Sequence, residues 1–305
     1  MSDELLRALA ARLEDLGVRG AWRRRVLAEA RDHLEQGARE GDEAALERFG
    51  DVDLTARMVA AEVATVTTRS ATYAAFGALA LAGLAFVGLL ALIPVAGGWP
   101  DLVAGKVGAV GPVLGLALLV LPQVAFVSGS LALIRALRLR RDRVAGSAEL
   151  ELLRRRGSVA LAACGAALLA LAISAVDLSG VLAGWWTWTT VAACALLVFP
   201  IGAARMRLAS SARPVAPAGG TPGDIFDDLA PLLALAPIRR LELPEHPWRF
   251  AALCAAGVGL AAFAAGWVAE GDPASGIVRG GFEALALLGC FALLGRTLGL
   301  RQAKR

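Results

Sequence analysis

Few side chains in this 305-residue chain have the type and spacing that catalysis or metal binding requires. Its two histidines, His33 and His246, stand alone and form no recognisable zinc motif. The sequence contains no GxSxG, Walker loop, HExxH motif or Gly-rich dinucleotide turn. The four cysteines include no CxxC pair, so we interpret them as small buried hydrophobic side chains. We therefore predict no catalytic residue, no metal site, no cofactor and no enzymatic activity.

His33 is the one titratable side chain whose position indicates a specific role. It follows Glu29 by four residues, which places both side chains on one face of a helix. A histidine near its pKa can sense pH or hold a partner helix. The alternative is a packed histidine that is hydrogen-bonded to a carboxylate or carbonyl.

Gln123 is the most polar residue deep within the apolar runs of the chain, and it directly follows Pro122. A polar side chain within a membrane span often marks a transport path, so Gln123 is a candidate intramembrane polar site. The alternative is a hydrogen bond that joins two helices. Glu283 lies one turn after Arg279, and this spacing predicts an i,i+4 pair at the membrane surface.

The elements around these residues are long and apolar. The chain is 57% hydrophobic and 19% charged, against about 25% charged in a typical soluble domain. A helix needs about 20 apolar residues to cross a bilayer. The sequence predicts six such spans, at about 74–96, 110–134, 158–176, 185–204, 250–268 and 280–298.

The basic residues predict the orientation of these spans. The three loops 97–109, 177–184 and 269–279 hold only Lys106 and Arg279, and the other 29 basic residues lie on the opposite side. By the positive-inside rule, both termini are cytoplasmic. Heavy use of Arg, Ala and Gly indicates a high-GC bacterial genome, so we expect the bacterial inner membrane. Tryptophans at predicted span ends fit an interfacial belt: Trp99, Trp185, Trp186, Trp188, Trp248 and Trp267.

The first 69 residues differ from the rest, with 11 Arg and 14 acidic residues. In the stretch "DELLRALAARLEDL" leucines recur at helical spacing, at Leu5, Leu9, Leu13 and Leu16. The second helix, about 21–36, has an apolar face of Trp22, Val26, Ala30, His33 and Leu34. A short third helix carries Phe49 inward, and Asp53 is expected to cap a fourth helix, 53–69, that leads into the first span. The pattern predicts a small cytoplasmic helical bundle.

The segments "ARDHLEQG" and "DEAALERFGD", followed by a helix entering a span, resemble the HAAS domain family. These are small helical signalling domains of bacterial membrane proteins, often associated with PadR-like winged-helix transcription regulators. The matching positions are Glu29, His33, Leu34, Gly37, Ala45, Phe49, Gly50 and Leu54, with Phe49 where the family usually has leucine. The resemblance covers about a fifth of the chain.

Together these observations predict an all-α protein with a docking domain, residues 1–69, and a six-span membrane domain, residues 70–305, with a cytoplasmic linker at 205–249. We expect the first domain to bind a cytoplasmic protein, such as a PadR-like regulator, through Trp22, Glu29, His33, Leu34 and Phe49. Its net charge of −3 argues against direct nucleic-acid binding. Stripes of small residues in the spans allow a homodimer. The alternative function is a small permease with a regulatory N-terminal prefix.

Overall fold

The computed structural model describes residues 2–39, 51–93, 111–139, 144–180, 182–211 and 247–295. Within these ranges every regular element is a helix and none is a strand, which confirms the predicted all-α class. The α-helices of these ranges are α1 (Ser2–Asp15), α2 (Gly20–Arg39), α3 (Val52–Ala91), α4 (Gly111–Arg138), α5 (Ser147–Asp177), α6 (Gly184–Ser210), α7 (Pro247–Glu270) and α8 (Pro273–Leu294).

Four of the described helices, α3, α4, α5 and α6, are long and apolar enough to cross a membrane, where the sequence predicted six spans. The apolar part described for α7, Trp248–Ala264, is shorter. The first half of α8 carries two charged side chains, Arg279 and Glu283.

The described residues divide into two compact units. The first contains α1, α2, α3 as far as Thr72, the stretch from Ala136 to Arg154 and the end of α6 from Arg207. The second contains the remainder of α3 to α6 together with α7 and α8. α3 is one unbroken helix of 40 residues, so the helix predicted to begin at Asp53 continues without a break into the stretch predicted as the first span.

The first unit has a hydrophobic core built by α1, α2 and the start of α3. Leu9 and Leu13 of α1 are fully buried, as the leucine spacing predicts, and they pack with Leu34 of α2 and Ala56 of α3. The predicted third helix and Phe49 lie outside the described residues. The four-helix bundle therefore stays a prediction.

The end of α1 shows why a glycine stands at position 17. Gly17 has a φ of 78°, a left-handed conformation in which a side chain would be strained. Its N–H donates to the Glu14 carbonyl at 2.9 Å, and the Val18 N–H donates to the Leu13 carbonyl at 2.8 Å. This pair of hydrogen bonds is the Schellman ending, which satisfies carbonyls that the helix leaves open.

Asp53 has a different role from the predicted helix cap. α3 begins at Val52, and the Asp51 carboxylate accepts the Asp53 N–H at 2.9 Å, so Asp51 is the cap. The Asp53 carboxylate instead receives the Arg12 guanidinium in a two-pronged ion pair, at 2.7 and 3.2 Å. Arg57, one turn further along α3, also donates to it at 3.0 Å. Asp53 therefore joins α1 to α3.

In the second unit, Trp186 departs from the predicted interfacial belt. Its side chain is only 1% exposed, and its indole N–H donates to the Leu89 carbonyl at 3.0 Å. It packs in a cluster with Ile93, Ala175 and Leu182. Trp185 and Trp188 on the same helix are exposed, as are Trp248 and Trp267. Burial with a satisfied N–H is the second common arrangement for tryptophan.

The small-residue stripe of α7 packs against α8 of the same chain. Ala251, Ala255 and Gly259 are buried along one face. A Cβ built on Gly259 would lie 3.0 Å from the Gly280 carbonyl oxygen, so the two backbones approach closely only because both residues are glycine.

Candidate functional site

The predicted docking residues of α2 separate into an exposed row and a buried anchor. Trp22, Glu29 and His33 are all exposed, and their spacing of seven and four residues places them on one side of the helix. Trp22 is 36% exposed, whereas its helical pattern predicted a core position. We call Trp22, Glu29 and His33 the α2 row. Leu34 lies in the core, where it fixes α2 against α1.

Charge along the α2 row is organised by an ion pair within the helix. The Arg25 guanidinium donates to the Glu29 carboxylate at 2.7 Å. This hydrogen bond, followed by the charge attraction, raises the pKa of Arg25 above its ordinary value. Glu29 is therefore engaged one turn towards the helix start, and the exposed His33 lies on the other side of it. The row presents an indole, a paired carboxylate and an imidazole.

Three buried threonines line the continuation of α3 within the first unit. Thr65, Thr68 and Thr72 recur at spacings of three and four, so they lie on one face. The Thr65 hydroxyl accepts the Ala145 N–H at 3.1 Å, just before α5 begins. The Thr72 hydroxyl donates to the Thr68 carbonyl at 2.9 Å. Each buried hydroxyl in this face is thus used in a hydrogen bond.

Arg154 of α5 extends the polar contacts of these threonines, and we call Thr65, Thr68, Thr72 and Arg154 the threonine–arginine seam. Its guanidinium donates to the Ser211 hydroxyl and carbonyl, each at 3.0 Å, and approaches the Thr68 hydroxyl at 3.5 Å. The side chain is 13% exposed, so these contacts are sheltered from solvent. One arginine therefore links three segments of the first unit: α3, the start of α5 and the end of α6. In the sequence, Arg154 is one of the 29 basic residues that predict the orientation of the spans, and its spacing gives no sign of this role.

Gln123 of α4 contacts Glu283 of α8 in the second unit. The Gln123 amide donates to the Glu283 carboxylate at 2.6 Å, and both side chains are half-buried. The i,i+4 pair predicted between Arg279 and Glu283 is replaced by this longer-range contact. A short hydrogen bond to a charged acceptor is among the stronger polar contacts. The arrangement matches the helix-joining alternative for Gln123.

Two apolar side chains on α3 are exposed, and the sequence analysis predicted this for neither: Leu54 entered it only as a position of the HAAS resemblance, and Met58 not at all. Leu54 is 58% exposed and Met58 is 64% exposed, one helical turn apart. The helical spacing of small and apolar residues on α3 could have predicted this exposure. Ala56, Ala60 and Val63 recur at spacings of four and three and form the buried face. Leu54 and Met58 fall on the opposite side.

The described residues contain no group of three or more His, Cys, Asp and Glu side chains that could hold a metal ion. All four cysteines are free thiols. Within the described residues, the candidate polar sites are therefore the α2 row, the threonine–arginine seam and the Gln123–Glu283 contact. No protein-family model, curated protein or solved structure matches the chain.

Proposed function

We propose that this protein is an integral membrane signalling protein whose N-terminal helical module docks a cytoplasmic protein through the α2 row. The single observation that carries the proposal is the exposure of Trp22, Glu29 and His33 on a helix fixed by a buried core. Exposed tryptophan is a common anchor of protein interfaces because it covers much area with little loss of conformational freedom. A helix held by its own core presents such a row without further ordering cost.

The charge of the module favours a basic protein partner. Residues 1–69 carry a net charge of −3, whereas residues 135–156 carry +5. An acidic surface attracts basic partners and repels nucleic acid, so charge favours a protein over DNA. The resemblance to HAAS domains suggests the class of that partner, a PadR-like winged-helix regulator, whose DNA-binding function requires a basic face.

The path that we propose for the signal is α3. Its first turns belong to the module core, and the same helix continues into a stretch apolar enough to cross a membrane. Within the first unit, Thr65 and Thr68 connect this helix to Ala145 and Arg154. A shift of α3 would therefore disturb both the core beneath the α2 row and the seam around Arg154.

We place the chain in the bacterial inner membrane with both termini in the cytoplasm and with six spans. The four long apolar helices and the concentration of basic residues in the predicted cytoplasmic segments support this placement. α7 and α8 would form the last two spans as a closely packed hairpin around Gly259 and Gly280.

The docking proposal is tested by comparing two exposed faces of the same module. The full-length protein, in membranes of its native host, is used to capture a PadR-like regulator from that host. The double variant Trp22→Ala/His33→Ala is expected to lose capture, because truncating a central interface aromatic typically costs about 2 kcal/mol or more. The matched control Leu54→Ala/Met58→Ala removes exposed side chains from α3 and should retain capture. Loss of capture in the control alone would place the docking surface on α3 instead.

One observation favours the alternative function, a small permease with a regulatory prefix. The Gln123–Glu283 contact places an amide and a carboxylate between two apolar helices. Polar pairs in such positions also line ion and substrate paths. The two functions predict different effects of a Gln123 variant on substrate flux.

A further inference from the structure

An apolar cavity in the second unit lies among α3, α4 and α5, with a volume of about 480 Å³. This volume falls within the range of roughly 300–1,000 Å³ that is usual for ligand pockets. Every lining residue is apolar or glycine apart from Cys164, so no charged or amide side chain is present to orient a polar ligand. The lining therefore selects for hydrocarbon.

The cavity has a buried floor and an exposed rim. Ala125 of α4 with Ala167 and Leu168 of α5 are buried at the floor. Leu84 of α3 and Phe126 of α4 line the same cavity but are largely exposed on the outer side of their helices. Leu84 and Phe126 lie within α3 and α4 and not at the helix ends, so their exposure indicates an opening between helices rather than along the helix axes.

Two glycines shape this opening. Gly129 lets the Leu79 side chain approach α4, since a Cβ there would lie 2.6 Å from Leu79 Cδ1. Gly83 lines the cavity and has no atom within 4 Å of where its Cβ would stand. The absence of a side chain at position 83 therefore leaves room in the cavity.

We propose that this cavity binds one acyl chain of a bilayer phospholipid. All three helices that form it are long and apolar enough to cross a membrane, so the medium at a sideways opening would be lipid hydrocarbon. An apolar lining without hydrogen-bonding side chains suits an acyl chain and leaves a headgroup outside. The inference rests on membrane insertion of α3, α4 and α5, and not on docking by the α2 row.

The test uses the full-length protein in vesicles of phosphatidylethanolamine and phosphatidylglycerol. A small fraction of the phospholipid carries a photoreactive diazirine in one acyl chain, and labelled peptides are identified by mass spectrometry. Lipid that surrounds the protein labels an uncovered rim at Leu84 and Phe126 whether or not an acyl chain enters the cavity. Only a chain inside the cavity labels the buried floor at Ala167 and Leu168, so we expect floor label in the unaltered protein.

Gly83→Phe fills the cavity from α3, and floor label should fall about tenfold, equivalent to about 1.4 kcal/mol, while rim label persists. The matched control is Gly77→Phe, because Gly77 also has open space at its Cβ position but does not line the cavity. Gly83→Leu provides a smaller side chain should the phenylalanine variant fail to purify as a single species.

Rim label without floor label in the unaltered protein would overturn the proposal, as would floor label that Gly83→Phe leaves unchanged. The exposed Phe199 of α6 reports membrane insertion separately. Label at Phe199 with none at rim or floor would mean that a second copy covers the cavity. No label at Phe199 either would contradict membrane insertion itself, and with it the acyl-chain site.

Discussion

Leu13→Ala is the most informative perturbation of the N-terminal helical module. Leu13 is 0% exposed and packs where α1, α2 and α3 meet. The substitution removes three carbon groups worth about 0.8 kcal/mol each, and the cavity left behind adds to the cost. The total is expected to be about 2–5 kcal/mol, a large share of what so small a core can supply.

Hydrogen–deuterium exchange of the full-length protein in lipid nanodiscs measures this loss. Each 1.4 kcal/mol corresponds to about a tenfold change in opening, so amide protection in α1 and α2 should fall about thirtyfold or more. Protection in the apolar part of α6 should not change, because its insertion depends on its own hydrophobicity. The matched control is Leu54→Ala, a leucine 58% exposed, whose effect should stay within about 0.5 kcal/mol. Equal protection in Leu13→Ala and the unaltered protein would refute the proposed core.

Three further predictions concern the apolar unit and its orientation. Trp186→Ala should destabilise the protein by about 3–5 kcal/mol in thermal unfolding, whereas exposed Trp188→Ala should change it little. Gln123→Leu removes the donor to Glu283 and should lower thermal stability by about 1–3 kcal/mol, while Glu283→Gln, which keeps a hydrogen-bonding partner, should cost less. Partner capture should survive Gln123→Leu; loss of a measurable substrate flux in this variant would favour the permease. Fusions of a cytoplasm-active reporter should be active after Arg69, Ser147, Gly219 and Arg305, and inactive after Gly105, Gly180 and Gly276; activity after Gly180 would contradict the predicted topology.

Periodicity made the helical core of the module predictable. Leucines at spacings of three and four define α1 without any knowledge of its neighbours, and Leu9 and Leu13 are buried accordingly. The unbroken course of α3 was also predictable, because neither proline nor glycine occurs between Val52 and Phe76.

Contacts between residues far apart in the chain could not be predicted from local sequence patterns. Asp53 was assigned as a cap because acids begin helices, but Arg12 of α1 reaches it in the fold. Glu283 was paired with Arg279 by spacing, and its hydrogen bond goes instead to Gln123, 160 residues away. Trp186 is buried and Trp185 and Trp188 are exposed because they lie on different faces of α6. The local sequence does not show which face packs against other helices, so the burial of Trp186 could not be predicted from it.

The central claim is that the α2 row contacts a cytoplasmic protein, and site-specific photocrosslinking tests it most directly. A photoreactive amino acid replaces His33 in the full-length protein, expressed in its native host, and the adducts are identified by mass spectrometry. We expect one adduct with a soluble winged-helix regulator. This adduct should be abolished by Leu13→Ala, and it should be absent when the same amino acid replaces Gly77 on the apolar part of α3. An adduct with lipid alone, or a protein adduct that survives Leu13→Ala, would contradict this claim.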